Sequence, residues 1–108
     1  MDFEIAKCLI EHGFDINKQN IFGNTALMYA CQKNKMAIVK YLIHHHAKIN
    51  LVNEDGQSSL MLACEKGHLE IVKYLIENNA DVSLLDINGK SALDYTVNHP
   101  NIRKLFKF

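Results

Sequence analysis

A single arginine, Arg103, stands among twelve basic residues, and twelve acidic residues balance them to zero formal charge. A neutral chain almost without planar guanidinium forks offers little grip on nucleic acid or an anionic membrane. No apolar run comes near the ~20 residues that cross a bilayer. The opening Met1-Asp2-Phe3-Glu4 is acidic and amphipathic, where a secretion signal is basic and then apolar. Cysteine is scarce and unpatterned: Cys8, Cys31 and Cys64 are odd in number and lack metal-ligand spacing. Cys31 and Cys64 lie 33 apart at equivalent places. Packed helices sit ~8–10 Å apart, too far for a disulfide between such positions. All three are expected as small buried apolar residues in a reducing compartment, the cytoplasm or the nucleus. Glycine never clusters into a phosphate-binding loop; each turn has one.

What is present is ordinary in amount and unusual in arrangement. The 108 residues are one domain's worth of chain, and 48% hydrophobic with 22% charged residues places them with soluble globular proteins, away from disorder. The arrangement repeats. Gly23, Gly56 and Gly89 fall 33 apart, as do Leu27, Leu60 and Leu93, and Tyr29, Leu62 and Tyr95. The run Ala37-Ile38-Val39-Lys40-Tyr41-Leu42-Ile43 returns as Glu70-Ile71-Val72-Lys73-Tyr74-Leu75-Ile76, with a weaker copy at Glu4 to Ile10. A period of this size means stacked small units, each burying its apolar face against its neighbours.

One unit, residues 53–85, shows how the chain is punctuated. Asn53-Glu54-Asp55-Gly56 is turn chemistry. Ser58 offers an N-cap ahead of a short helix through Leu60, Met61, Leu62 and Ala63, and Gly67 suits its end. A second helix begins near His68. Leu69, Val72, Leu75 and Ile76 give it a buried stripe at helical spacing, and Ile71 widens it. Glu70 and Lys73 are placed to pair on the outside. Asn78-Asn79 closes this helix, since asparagine tolerates the left-handed conformation, and residues 81–85 run extended toward the next turn. Residues 20–52 read the same way, with Thr25 as cap, and Asn34 and His46 at the closing positions.

These residues resemble the ankyrin repeat. One copy carries Gly56, Leu60, Ala63, Gly67-His68, Glu70-Ile71-Val72, Leu75 and Ala80-Asp81-Val82; another carries Gly23, Thr25, Leu27, Ala30, Ile38-Val39, Leu42, Ala47 and Asn50. The resemblance implies an all-α solenoid of helix-turn-helix units joined by β-hairpin-like loops. It divides a single domain, 1–108, into a partial repeat 1–19, full repeats 20–52 and 53–85, and a C-terminal capping repeat 86–108. Two departures predict a softer array. The family's Thr-Pro-Leu-His signature survives only as Thr25-Ala26-Leu27-Met28, Ser58-Ser59-Leu60-Met61 and Ser91-Ala92-Leu93-Asp94. Met28 and Met61 cannot reproduce the histidine's hydrogen bonds, and the proline that would pre-set the first helical turn is missing. Residues 1–19 match only a second helix and its loop, so nothing covers Ile5, Leu9 and Ile10. Either further repeats precede Met1, or this helix is an improvised cap. At the other end a last helix with Ile102, Leu105 and Phe106 inside, and Arg103, Lys104 and Lys107 outside, reads as a cap.

The chain shows no catalytic constellation. His44-His45-His46 point about 100° apart on a helix and cannot converge on one tetrahedral ion. Their partial charge would suit the helix C-terminus instead. His68 is expected in a structural hydrogen bond, and His12 and His99 as solvated surface. Cys31 and Cys64 face the interior, away from any base, and the carboxylates are scattered. No enzyme activity, cofactor or metal is expected.

What remains is surface, and the resemblance places a partner-binding strip on it. The loop tips are Gln19, Ile21, Phe22 and Asn24; Val52, Glu54, Asp55 and Gln57; and Leu85, Ile87, Asn88 and Lys90. The first helices add Gln32, Lys33, Glu65 and Lys66. Ile21, Phe22, Val52, Leu85 and Ile87 are apolar where water is expected, and contiguous apolar surface marks interaction sites. Phe22 is the natural anchor. Glu54, Asp55 and Glu65 form an acidic rim suited to a basic partner. The expected function is recognition of another protein by a monomer, or by one segment of a longer array. The alternatives are a structural spacer, tips merely packed on one another, or a substrate of an asparagine hydroxylase, for which Asn17 and Asn50 stand at the family's acceptor position and Ser83 has lost it.

Overall fold

The computed structural model describes residues 2–107, which form a row of short helix pairs. The first helix, α1 (Phe3–Glu11), stands without a first-helix partner; Asp2 caps it, its Oδ1 accepting the Ile5 N–H at 2.9 Å. Then come the pairs α2 (Ala26–Gln32) with α3 (Met36–His44), and α4 (Ser59–Lys66) with α5 (Leu69–Glu77). A 3-10 turn, Leu93–Thr96, takes the place of a third first helix. The chain closes with α6 (Pro100–Arg103) running into a 3-10 turn, Lys104–Phe106. The described residues contain no β-strand. The expected extended hairpins reduce to sharp turns with one antiparallel bridge, Val52 to Ser58.

The chain reverses where a residue can adopt positive φ. Gly67 ends α4 at φ 76°, and Asn34, His46 and Asn79 take the same left-handed region at 59°, 67° and 69°. For residues with a Cβ this costs of order 1 kcal/mol, so the surrounding packing must hold it.

That packing is continuous. Leu27, Leu60, Ala30, Ala63, Cys31, Cys64, Val39, Val72, Leu42 and Leu75 are all at most 1% exposed. The first helices stack as one row, α2 on α4 and α4 on the turn Leu93–Thr96; the second helices stack as another, α1, α3, α5 and α6. Alanine and cysteine on the facing first helices let them approach closely, and the larger Val and Leu of the second helices fill the interior. Truncating one such leucine typically costs 2–5 kcal/mol.

Polar ties repeat along the row. The ring of His68 meets the Gln32 carbonyl at 3.0 Å, as expected for a structural bond, and His99 meets the Glu65 carbonyl at 3.1 Å. His99 is therefore half-buried structure and not the expected solvated surface, and His12 also has a partner, the Cys8 carbonyl at 2.7 Å. Asn17 Oδ1 accepts the Lys48 N–H, and Asn50 Oδ1 accepts the Asp81 N–H, both at 2.8 Å. Two further expectations fail. Cys8 is exposed. The methionines are not silent: the Thr25 N–H reaches Met28 Sδ at 3.4 Å, the Ser58 N–H reaches Met61 Sδ at 3.5 Å, and each hydroxyl accepts the reciprocal backbone N–H. A soft sulfur stands in for the usual acceptor of a capping box.

Candidate binding face

The loop tips are built by one repeated side chain. Asn20 Oδ1 accepts the N–H groups of Phe22 and Asn24, at 2.9 and 3.0 Å. Asn53 Oδ1 does the same for Asp55 and Gln57, and Asp86 Oδ1 for Asn88 and Lys90. Each tip is thus an Asx-type turn fixed from within. Neighbouring tips are joined by backbone. The Glu54 N–H donates to the Phe22 carbonyl and the Ile87 N–H to the Asp55 carbonyl, each at 3.0 Å. Gly23 and Gly56 allow this: a Cβ on Gly23 would lie 2.9 Å from the Glu54 nitrogen, and one on Gly56 3.0 Å from the Asp86 Cα.

Side chains continue the tie across the inner face. Asn53 Nδ2 donates to Asn24 Oδ1 at 3.0 Å and to Gln57 Oε1 at 3.1 Å. Gln57 Nε2 donates to the Tyr95 hydroxyl at 3.3 Å, and that hydroxyl donates to Asp86 Oδ2. The Tyr95 hydrogen bond, followed by the Lys90 N–H, holds the Asp86 carboxyl below the usual carboxylate range. Tyr95 moves upward in turn, chiefly because the folded chain removes water from it.

On this frame the apolar tips point outward. Ile21 is 82% exposed, Phe22 59%, Leu85 60% and Ile87 67%. Val52 is less open, at 38%, since it forms the bridge to Ser58. Phe22, Asn24, Gln32, Glu54, Asp55 and Gln57 come together around a cavity of about 220 Å³, with Asn53 and Leu62 as further walls. Lys33, Glu65, Lys66, Asn88 and Lys90 are exposed. Gln19 has a structural engagement: its amide donates to the carbonyls of Gly23 and Val52, at 2.8 and 2.9 Å. Of the asparagines at the hydroxylase acceptor position, Asn50 is exposed and Asn17 half-buried.

Sequence reasoning passed over Leu62 and Tyr95 as part of this face, although with Tyr29 they repeat at 33 residues. It also took Asn20, Asn53 and Asp86 only as turn formers. Their spacing was the available signal that one Asx side chain organises every tip.

Among the described residues, no three His, Cys, Asp or Glu side chains gather as a metal site, and no helix is long and apolar enough to cross a membrane. Burial pushes the Cys31 and Cys64 thiols up to about 12, which leaves them protonated and poor nucleophiles.

A family model described as ankyrin repeats in three copies matches residues 1–86 and again 35–107. No curated protein matches the chain.

Proposed function

The chain belongs to the ankyrin-repeat family, and from that premise we propose that it recognises a partner protein through its loop tips and the inner face of its first helices. Members of the family are generally protein–protein interaction modules without catalytic activity. The observation that carries the reading is the exposure of Ile21, Phe22, Leu85 and Ile87 on tips whose backbone is tied from one to the next. A rigid apolar strip gives up little conformational freedom on docking, so more of its burial is left as affinity. Phe22 anchors at the cavity it shares with Gln57, and Glu54, Asp55 and Glu65 supply a rim for a basic partner. The domain would work as a monomer or as one segment of a longer array, in a reducing compartment, without cofactor or metal.

The double variant Phe22→Ala/Ile87→Ala tests this. Both side chains are exposed, so stability should move by no more than about 0.5 kcal/mol per site. Captured partner should fall at least about tenfold, which corresponds to a loss of ~1.4 kcal/mol. Undiminished capture by the folded double variant would remove the strip from consideration.

A second reading, a spacer inside a longer array, rests on the apolar side chains that α1 leaves open: Ile5, Leu9 and Phe14. A 33-residue pattern continuing ahead of Met1 would favour it.

A further inference from the structure

The same two places on successive tips carry different chemistry. Ile21-Phe22, Glu54-Asp55 and Ile87-Asn88 succeed one another at 33 residues. Ile21, Phe22 and Ile87 stand open, and Glu54 and Asp55 are exposed between them. The order along the row is therefore apolar, acidic, apolar. Among the described residues neither carboxylate of the middle tip has a hydrogen-bond or ion-pair partner; the ion pairs join Lys7 to Glu11 and Lys73 to Glu70, on second helices. The cavity of about 220 Å³ lies between the first two of these tips, walled by Phe22 from one and by Glu54 and Asp55 from the next, with Gln32 of α2. Its remaining polar walls, Asn24 and Gln57, are held by Asn53, and the two tips by the bond from the Glu54 N–H to the Phe22 carbonyl. The cavity is thus fixed before anything enters it.

Resting on the reading of the tips as the binding strip, we propose that this cavity takes one arginine side chain of the partner, on a segment with an apolar residue to either side of it. The face of an aromatic ring attracts a cation, and two unpaired carboxylates beside it complete the attraction. A guanidinium is planar and weakly hydrated, so it can stack on Phe22 while its N–H fork reaches Glu54 or Asp55. A neutral side chain in the same place leaves both carboxylates uncompensated, and an acidic one is repelled. The apolar neighbours follow from the row. Ile21 precedes the acidic tip and Ile87 follows it. Stacked units stand ~8–10 Å apart, and an extended chain covers ~3.3 Å per residue. An extended partner therefore meets the three tips with an apolar residue, an arginine three places on, and a second apolar residue three further.

The probe is the peptide acetyl-Leu-Ser-Ser-Arg-Ser-Ser-Leu-amide, titrated into the labelled full chain beside the same peptide with citrulline, the neutral isostere, in place of arginine. The arginine peptide should shift the amide signals of Phe22, Glu54, Asp55 and Gln57 with a Kd of ~1 mM or tighter, and citrulline should weaken it at least about fivefold. The variant Glu54→Gln/Asp55→Asn changes exposed, unpaired carboxylates only and should stay folded. It should bind the arginine peptide at least about fivefold less tightly and leave the citrulline peptide unchanged. Arginine and citrulline peptides that bind alike overturn the proposal, as do shifts that centre away from the cavity or a variant that binds the arginine peptide undiminished. Binding by neither peptide overturns it too, while the strip itself still stands or falls by capture with Phe22→Ala/Ile87→Ala. A lysine peptide as tight as the arginine one would put a point charge where the stacked fork is required, and so would also contradict it.

Discussion

Single residues in this protein are held by two effects, desolvation and local hydrogen bonding, and each leaves a measurable trace. Burial pushes Cys31 and Cys64 up to about 12, while Cys8 is exposed. A thiol reagent at pH 8 should therefore modify one cysteine in three in the native chain, and all three in denaturant. Rapid native modification of two or more would contradict the shared interior. Asp86 is held below the ordinary carboxylate range by the Tyr95 hydroxyl and then by the Lys90 N–H. Its folded pKa lies under its unfolded one, so its stabilisation is present above the unfolded value of ~3.9 and is lost as pH falls through the folded value. Tyr95→Phe should consequently lower the melting temperature at pH 7, and the gap to the native chain should narrow as pH falls toward ~3. A gap that widens in acid would assign the Asp86 shift to another cause.

At the scale of elements, helix positions were legible because their signals are local. Thr25 and Ser58 cap where their hydroxyls precede an apolar run, Gly67 ends α4, and Asn79 ends α5. What stayed hidden depended on partners far along the chain. His99 looks solvated in sequence because its partner, the Glu65 carbonyl, lies 34 residues away. Cys8 reads as buried because cysteine is a small apolar residue, and coverage of α1 cannot be read from its own residues. Methionine at the capping-box position reads as unable to replace the family's histidine, yet the geometry offers its sulfur a backbone N–H. The candidate strip was legible as apolar residues in turn contexts. The side-chain relay from Asn24 through Asn53 and Gln57 to Tyr95 was not, since it links three copies of the repeat.

The tips allow a paired test at this same scale. Gly56 and Gly89 share positive φ, at 73° and 77°, but a Cβ on Gly56 meets the backbone of the next tip, whereas one on Gly89 meets nothing within 4 Å. Gly89→Ala should cost about 1 kcal/mol for the left-handed backbone alone. Gly56→Ala should cost roughly twice that, because the neighbouring tip must also shift. Equal costs by chemical denaturation would mean that adjacent tips are not in contact.

At the scale of the whole molecule, which is about 40 Å long, two helix rows share one interior, and the loop tips line one edge as a ladder. The interior fixes where the tips stand, the ladder stiffens them, and the apolar side chains they hold out are left without cover. Hydrogen exchange on the chain, free and bound to its captured partner, tests that account most directly. Binding is predicted to slow exchange at residues 19–24, 52–57 and 85–90, leaving the outer sides of α3 and α5 unchanged. Protection confined to α3 and α5, with the tips exchanging as fast as in the free chain, would contradict it.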